Sequence, residues 1–580
     1  MSLTASERSI LADISLDAPW NLVETFSTMP RWLPEDVNRG ADVIIQSLQA
    51  LNMSVDVYEP TIFLSIPIDA SVTVGGIVLR AKPPSMSVSV PEGVEGALVY
   101  LDADEEKFRS YTRNPKEIFK DGGVDGPSRV RGKIAVLNGF ANPGTCSLLE
   151  EWGAIGMIAI NPGVDIHWGT CTTIWGSPDL DDLPRKPTIA VVAVSNPDGQ
   201  ALIRAAGKGE SACIKTEMME GWYPQKVPVV TIPGTQEPDR FVLVHGHYDS
   251  WDVGVGDNAT GDATLLELAR VLHKNRSSLR RSVRIAWWPG HSTGRYAGST
   301  WFADHFALDL DANCVAQINC DSPGCRWATL FKDVSWTKET EGYAKDVIKA
   351  VAGLEAHGER PHRAGDYSFN NIGISSLLML SSTMPDELRA KKGYYTVGGC
   401  GGNIAWHTEN DLLDIADKDI LLRDMKVYLE VVASIADADI LPFDWRAQVA
   451  EFSDTIASYQ KAAGKAFDLS PAASATQSLD KVLADFYKSA AKGKVTLAKA
   501  NHVIQRLARI LVPINYTRVP RFRHDPALPV PALPTLSAAS EIKGLDKVKQ
   551  GFARTQLVRG QNRYIAALRE AEALVAATLS

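Results

Sequence analysis

The chain contains no apolar run approaching the ~20 residues a helix needs to cross a bilayer, so no helical membrane span is expected. It also lacks a basic excess. A formal net charge of −9 argues against nucleic acid as the main partner, because phosphate binding calls for a basic face. The opening Met-Ser-Leu-Thr-Ala-Ser-Glu-Arg-Ser has no basic segment followed by an apolar core; no export signal is expected, and the expected location is the cytoplasm. Cysteine is scarce. The seven thiols (146, 171, 213, 314, 320, 325 and 400) are odd in number and lack framework spacing, which speaks against a disulfide scaffold and for a reducing compartment. Cys320 and Cys325 flank Asp321 and are read as buried thiols rather than soft-metal ligands. There is no internal repeat and no long low-complexity segment. What remains is an ordinary globular composition on 580 residues, too long for a single core.

Residues 1 to about 60 open with helical periodicity over Trp32 to Leu51, followed by the extended run Ser54 to Tyr58. From about 70 to 225 the pattern is short and β-rich. Gly96 to Leu101, Gly132 to Leu137 and Pro187 to Ser195 read as strands, with a helix, glycine turn and strand over Ser147 to Ile160. Strands and helices then alternate to about 440, as a mostly parallel sheet requires, with strands at Val283 to Trp287, Cys314 to Cys320 and Ile374 to Leu380. After Pro442 the apolar stripes become helical (Ala450 to Tyr459, Leu479 to Tyr487, Tyr564 to Leu574), and Pro520 to Pro534 reads as an ordered or semi-rigid connector.

The chemistry concentrates in His247-Tyr-Asp249-Ser-Trp-Asp-Val-Gly-Val-Gly-Asp257-Asn-Ala-Thr-Gly261. This Gly-rich loop lies between the apolar run Phe241 to Val244 and a helix over Ala263 to Leu272. Such a loop is a common way to present metal ligands at the carboxyl edge of a parallel sheet. Asp321, His291 and His407 are the further ligand candidates.

Together these residues resemble the co-catalytic zinc aminopeptidases, in the branch that includes glutamate carboxypeptidase and the transferrin receptor. The resemblance implies an α/β fold: a mixed, mostly parallel peptidase sheet with an inserted β-rich protease-associated domain and a C-terminal helical dimerisation domain. The corresponding boundaries are 1–70 and 226–440 for the peptidase part, 71–225 for the insert and 441–580 for the helices. It further implies that His247 binds one metal, that Asp257 bridges two, that Asp321 completes the first and that His407 binds the second. Asp249 is implied to orient the ligating histidine or the bridging water, and Asp411 could do the same near His407, although a helix N-terminal role serves Asp411 equally. One or two divalent ions are expected, zinc in the first place, with manganese, cobalt and iron compatible with the same ligands.

The chain departs from that family at its W-x-A-E-E-x-G motif. Here the sequence is Trp287-Trp-Pro-Gly290-His291-Ser-Thr-Gly294-Arg-Tyr-Ala-Gly298-Ser-Thr, so Gly290 stands for the general base and His291 for the second-metal ligand. Losing a positioned base typically costs ~10²–10⁴ in rate. Three arrangements follow: His291 ligates the second metal; a single ion binds and His291 is the acid/base group; or the site has decayed on a binding protein. On the substrate side, Arg295 and Tyr296 could hold a carboxylate or oxyanion, and Asp366 an amine or hydroxyl; the loop Val397 to Asn403 is an anion cradle or a mobile lid. The expected protein is a homodimeric, metal-dependent hydrolase that attacks an amide of a small molecule or short peptide with metal-activated water. A lyase or non-peptide amide hydrolase, and a transferrin-receptor-like binding protein, are its rivals.

Overall fold

The computed structural model describes residues 3–104 and 112–579. Its first sheet has six strands, in the order Asp56–Tyr58, Val227–Ile232, Arg281–Trp288, Glu237–His247, Cys314–Asn319, Ser376–Leu377. The last four run parallel, and the first two close one edge antiparallel. The central strands are buried on both faces, which explains their near-continuous apolar runs. Helices Pro34–Ala50, Thr260–Lys274 and Lys418–Asp437 pack their apolar stripes on this sheet and share one large core with it.

The run Ile374 to Leu380 forms only a two-residue strand, Ser376–Leu377. It pairs with the neighbouring strand at two positions, and Leu378 turns away with φ +57°. Apolarity there reflects burial at the sheet's edge rather than a long ladder.

A second, seven-stranded sheet spans Thr61 to Pro224, in the order Ile77–Arg80, Thr61–Val74, Ser211–Pro224, Val90–Leu101, Ile134–Asn138, Gly156–Ile160, Ala190–Val194. The strand Thr61–Val74 therefore crosses residue 70 and belongs wholly to this sheet. Its inner end lies over the loop that follows Trp288: Ser65 N–H donates to the Thr293 carbonyl (2.9 Å), and Gly176 N–H to the Arg295 carbonyl (2.7 Å).

Four helices, Trp445–Ala463, Ser470–Ala491, Leu497–Tyr516 and Lys547–Leu579, form the C-terminal part. Leu497–Tyr516 is buried over most of its circumference, polar Asn501, Gln505, Arg509 and Asn515 included, and carries Pro513, so its apolar stripe alone does not mark its extent. It is anchored to the first sheet by buried Arg509, which donates to the carbonyls of Leu310, Asp311, Gly373 and Cys314. The proline-rich connector is ordered against the rest of the chain: Ala527 N–H reaches the Thr173 carbonyl, and Arg363 the carbonyls of Asp525 and Pro526. Among the described residues no helix is long and apolar enough to cross a membrane.

Glu339 lies fully buried where these helices meet the sheet, with Oε2 unpartnered and Oε1 accepting from Thr337 Oγ1 at 2.7 Å. Burial pushes its carboxyl up to about 7, from 4.5. The unfolded chain then loses this proton at lower pH than the folded one, so the contribution of Glu339 to stability falls as pH rises from 4.5 to 7 and is level above. The shift corresponds to roughly 3 kcal/mol at most. Denaturant unfolding at pH 5 and pH 8 should show a smaller loss of stability for Glu339→Gln than for the parent; an identical loss would contradict the assignment.

Candidate metal centre

Strand register brings the candidate ligands together. His245 pairs with Asn319 across parallel strands, so His247 and Asp321 each lie two residues further along adjacent strands. His247 pairs with Trp288, and His291 follows three residues later. Three neighbouring strands thus deliver donors to one carboxyl edge. Asp257 arrives from the loop before helix Thr260–Lys274, and His407 from the loop that ends at Asp411.

The donors converge. His247 Nε2 lies 3.0 Å from Asp257 Oδ1 and 3.8 Å from Asp321 Oδ2, while His407 Nε2 lies 3.0 Å from Asp257 Oδ2. Asp257 therefore stands between the two histidines with one oxygen toward each. His291 stacks on His247, with ring centroids 3.7 Å apart and planes 17° apart. Ligand atoms of His247, His291 and Asp321 all lie within 4.8 Å of one another. The structure thus groups His291 with the His247–Asp321 side, whereas alignment of the motif had assigned it to the His407 side.

Each imidazole is held through Nδ1 by a group that can only accept. His247 Nδ1 meets the Asp249 carbonyl (2.9 Å), His407 Nδ1 the Trp168 carbonyl (3.0 Å) and His291 Nδ1 the Asp366 carboxylate (2.7 Å). Nδ1 must therefore carry a proton in all three, which leaves Nε2 of the neutral ring as a lone pair. His247 Nε2 and Asp257 Oδ1 are both buried and without a hydrogen-bond partner. Nε2 and Oδ1 face each other at 3.0 Å, an arrangement that calls for positive charge between them, from a metal ion or, without one, from a second proton on the imidazole. Electrostatics agrees. Burial works against charge on His247, yet the carboxylates of Asp257 and Asp321 outweigh it and hold the imidazole well above its usual range. Burial likewise opposes ionisation of Asp257, and the two imidazoles overcome it. This donor set suits a borderline divalent ion such as zinc.

The supporting residues are specific. Asp249 Oδ1 lies 3.8 Å from His247 Nδ1, and its carboxylate accepts the backbone N–H groups of His291 (3.0 Å) and Ser292 (3.1 Å), tying the second strand's loop to the first. Burial raises its carboxyl, against His247, His291 and these two N–H groups. Asp411 accepts from the N–H groups of Gly256 (2.7 Å) and Asp257 (3.0 Å), so it aims Asp257 rather than capping a helix. Burial pushes its carboxyl up to about 7. Asn258, which the sequence reading passed over, ties three loops: its Nδ2 donates to the His247 and Cys320 carbonyls, and its Oδ1 accepts from Ser322 N–H. Gly261 makes room for it, since a Cβ there would fall 2.1 Å from Asn258 Oδ1. An amide directly after a bridging carboxylate was the one available signal.

Trp168 could not have been found from the sequence, because it contributes a backbone carbonyl from 239 residues away. Its N–H also donates to the His407 carbonyl at 2.9 Å. This clasp is reinforced by Lys82, whose Nζ pairs with Glu409 (2.6 Å), bonds the Ile166 carbonyl and sits 3.4 Å from the Trp168 ring. The second sheet thus completes the hold on His407.

The expected substrate-side residues occupy other positions. Asp366 is buried behind His291, with its second oxygen accepting from Ser299 Oγ at 2.5 Å. Burial opposes its ionisation, but the imidazoles of His291 and His247 and the Ser299 hydroxyl hold it below the usual carboxylate range. Arg295 and Tyr296 are also buried: Arg295 Nη1 donates to the Tyr296 hydroxyl, and the Tyr296 ring meets His291 edge-on at 4.8 Å. Both take left-handed backbone, φ +47° and +70°. The loop Val397 to Asn403 packs Gly399 against Trp406. Cys320, Cys325 and Cys400 are buried thiols outside the donor group.

A largely parallel sheet that carries this His/Asp loop at its carboxyl edge defines an α/β protein with a candidate metal centre. Residues 228–432 match the model of Peptidase family M28, and the resemblance read from the motifs is borne out there. A probable glutamate carboxypeptidase of Zea mays, VP8, is 25% identical over 235 residues, covering 39% of this chain and 32% of that protein. The aminopeptidase NAALADL1 of Mus musculus is 42% identical over 103 residues, 17% of this chain and 14% of its own length. The aligned part is thus about a third or less of these relatives. Among solved structures, an aminopeptidase from Aneurinibacillus sp. strain AM-1 superposes with a TM-score of 0.52 at 18% identity, covering 74% of this chain and 96% of that one. At that identity the likeness is one of fold.

Proposed function

We propose that this protein is a metal-dependent hydrolase acting on an amide bond of a small molecule or short peptide. The carrying observation is that three imidazoles, each committed through Nδ1 to an acceptor, leave Nε2 lone pairs beside two buried carboxylates. His247, Asp257 and Asp321 would hold one ion, and Asp257 with His407 a second; zinc fits best, with manganese, cobalt or iron compatible. A divalent ion bound there supplies Lewis acidity toward a carbonyl oxygen and lowers the pKa of water. Asp249, Asn258 and Asp411 keep the donors in register, and the Trp168 carbonyl fixes His407 for the same purpose.

His291 is the atypical element, because Gly290 beside it has no side chain to move a proton. Its grouping with His247 and Asp321 supports a role as an additional donor on that side. A second reading, His291 as the acid/base group, is favoured by the carboxylate of Asp366 behind it. Elemental analysis of the intact protein and of His291→Ala separates the two. A fall in metal content supports ligation; unchanged content with activity reduced ~10²–10⁴-fold supports proton transfer. Activity would be sought on aminoacyl and acyl-glutamate amides, and inactivity on all of them would favour a non-peptide amide or a lyase reaction. A purified protein without stoichiometric metal would point instead to a binding protein.

The second sheet would serve as a protease-associated insert, with the C-terminal helices as a dimerisation region in a cytoplasmic homodimer. The contact between Trp168 and His407 supports the first of these roles; the ordered helices packed on the sheet are compatible with the second.

A further inference from the structure

His247 and His407 lean on backbone carbonyls, which the chain path holds in place. His291 alone leans on a charged side chain, at 2.7 Å. Its ring is packed on one face by His247 and edge-on by Tyr296, so its plane is set, but neither neighbour decides which nitrogen carries the proton. A neutral imidazole with its proton on Nε2 would aim a hydrogen, not a lone pair, at His247 and Asp321.

Asp366 resolves that choice, and it is itself locked. It is 0% exposed, and its other oxygen accepts from Ser299 Oγ at 2.5 Å. Ser299 Oγ lies 2.9 Å from Ser368 Oγ, which in turn accepts from Trp175 Nε1 at 3.1 Å. The chain of polar groups runs from His291 through one carboxylate and two hydroxyls to a buried indole. Ser299 lies in the first turn of the helix Ala297–His305, a few residues after His291, so the segment that carries His291 also carries the brace for it.

We infer that Asp366 is a positioning residue for His291: with Ser299 it holds the imidazole as the Nδ1–H form and presents Nε2 to the His247–Asp321 side. The inference rests on the metal-dependent reading and deepens it. Removal of such a partner behind a metal-site imidazole typically lowers metal affinity or activity 10–100-fold.

The test is a double-mutant cycle on the full-length, metal-stripped protein, with cobalt(II) alone as the titrant and hydrolysis followed where a substrate is in hand. Whichever quantity His291→Ala lowers, Asp366→Asn is expected to lower ~10–100-fold, and to lower no further in the His291→Ala background. Ser299→Ala should act in the same direction with smaller effect, and it carries the test if Asp366→Asn fails to fold. Thermal melting of the metal-free variants separates folding defects from site defects. Equal cobalt affinity and activity in Asp366→Asn, an undiminished loss in the double variant, or no effect of His291→Ala would overturn the inference. Failure of the parent protein to bind cobalt(II) at all would overturn the metal-dependent reading as well, so the two failures are distinguishable.

Discussion

Replacing Asp257 by alanine is expected to strip the purified protein of bound divalent metal and to take hydrolysis to background. Its two oxygens lie 3.0 Å from His247 Nε2 and 3.0 Å from His407 Nε2, so it joins the two sides of the site. Removing a group that merely supports a metal ligand costs roughly 10–100-fold in affinity. Loss of a carboxylate that faces both imidazoles should exceed that range. Elemental analysis after dialysis, with melting curves to confirm folding, is the measurement. Full metal content in Asp257→Ala would mean that these donors do not hold the ion.

Restoring a carboxylate at the missing position is expected to fail. Gly290 sits at φ +68°, and a Cβ there would lie 3.0 Å from Ile62 Cδ1 and 3.0 Å from Leu64 Cδ2. Both neighbours are buried on the strand Thr61–Val74. Gly290→Glu combines a left-handed non-glycine backbone, overpacking and a carboxylate turned toward apolar side chains, together about 3 kcal/mol or more. Chemical denaturation should register that loss with no gain in hydrolysis. A variant as stable as the parent and newly active would show that the space exists after all. The strand of the second sheet thus fills the space beside Gly290 with Ile62 and Leu64.

The strand, loop and helix around His247 and Asp257 were legible because apolar periodicity and ligand spacing are local properties. Asp321 and His407 were reached through resemblance to a motif, and the register confirms that Asp321 lies level with His247. His291 was visible as an anomaly, but its side of the site was not. A residue three positions beyond a strand can turn either way, and here the backbone N–H groups of His291 and Ser292 on Asp249 decide the direction. Asp366 was placed with the substrate for the same reason. A carboxylate's partner depends on which loop faces it, and Asp366 faces a histidine 75 residues earlier in the chain.

Local patterns in the chain were enough for an α/β fold without a helical membrane span, for His247, Asp249 and Asp257 within one strand-end and loop segment, and for the missing glutamate after Trp288. Only the tertiary structure decided what each group leans on: Trp168 holding His407, Asp366 behind His291, Ile62 and Leu64 filling the space at Gly290. The physical reason is range. Periodicity and loop composition act over a few residues, whereas the proton on an imidazole is set by whichever acceptor the packing of distant segments brings within 3 Å.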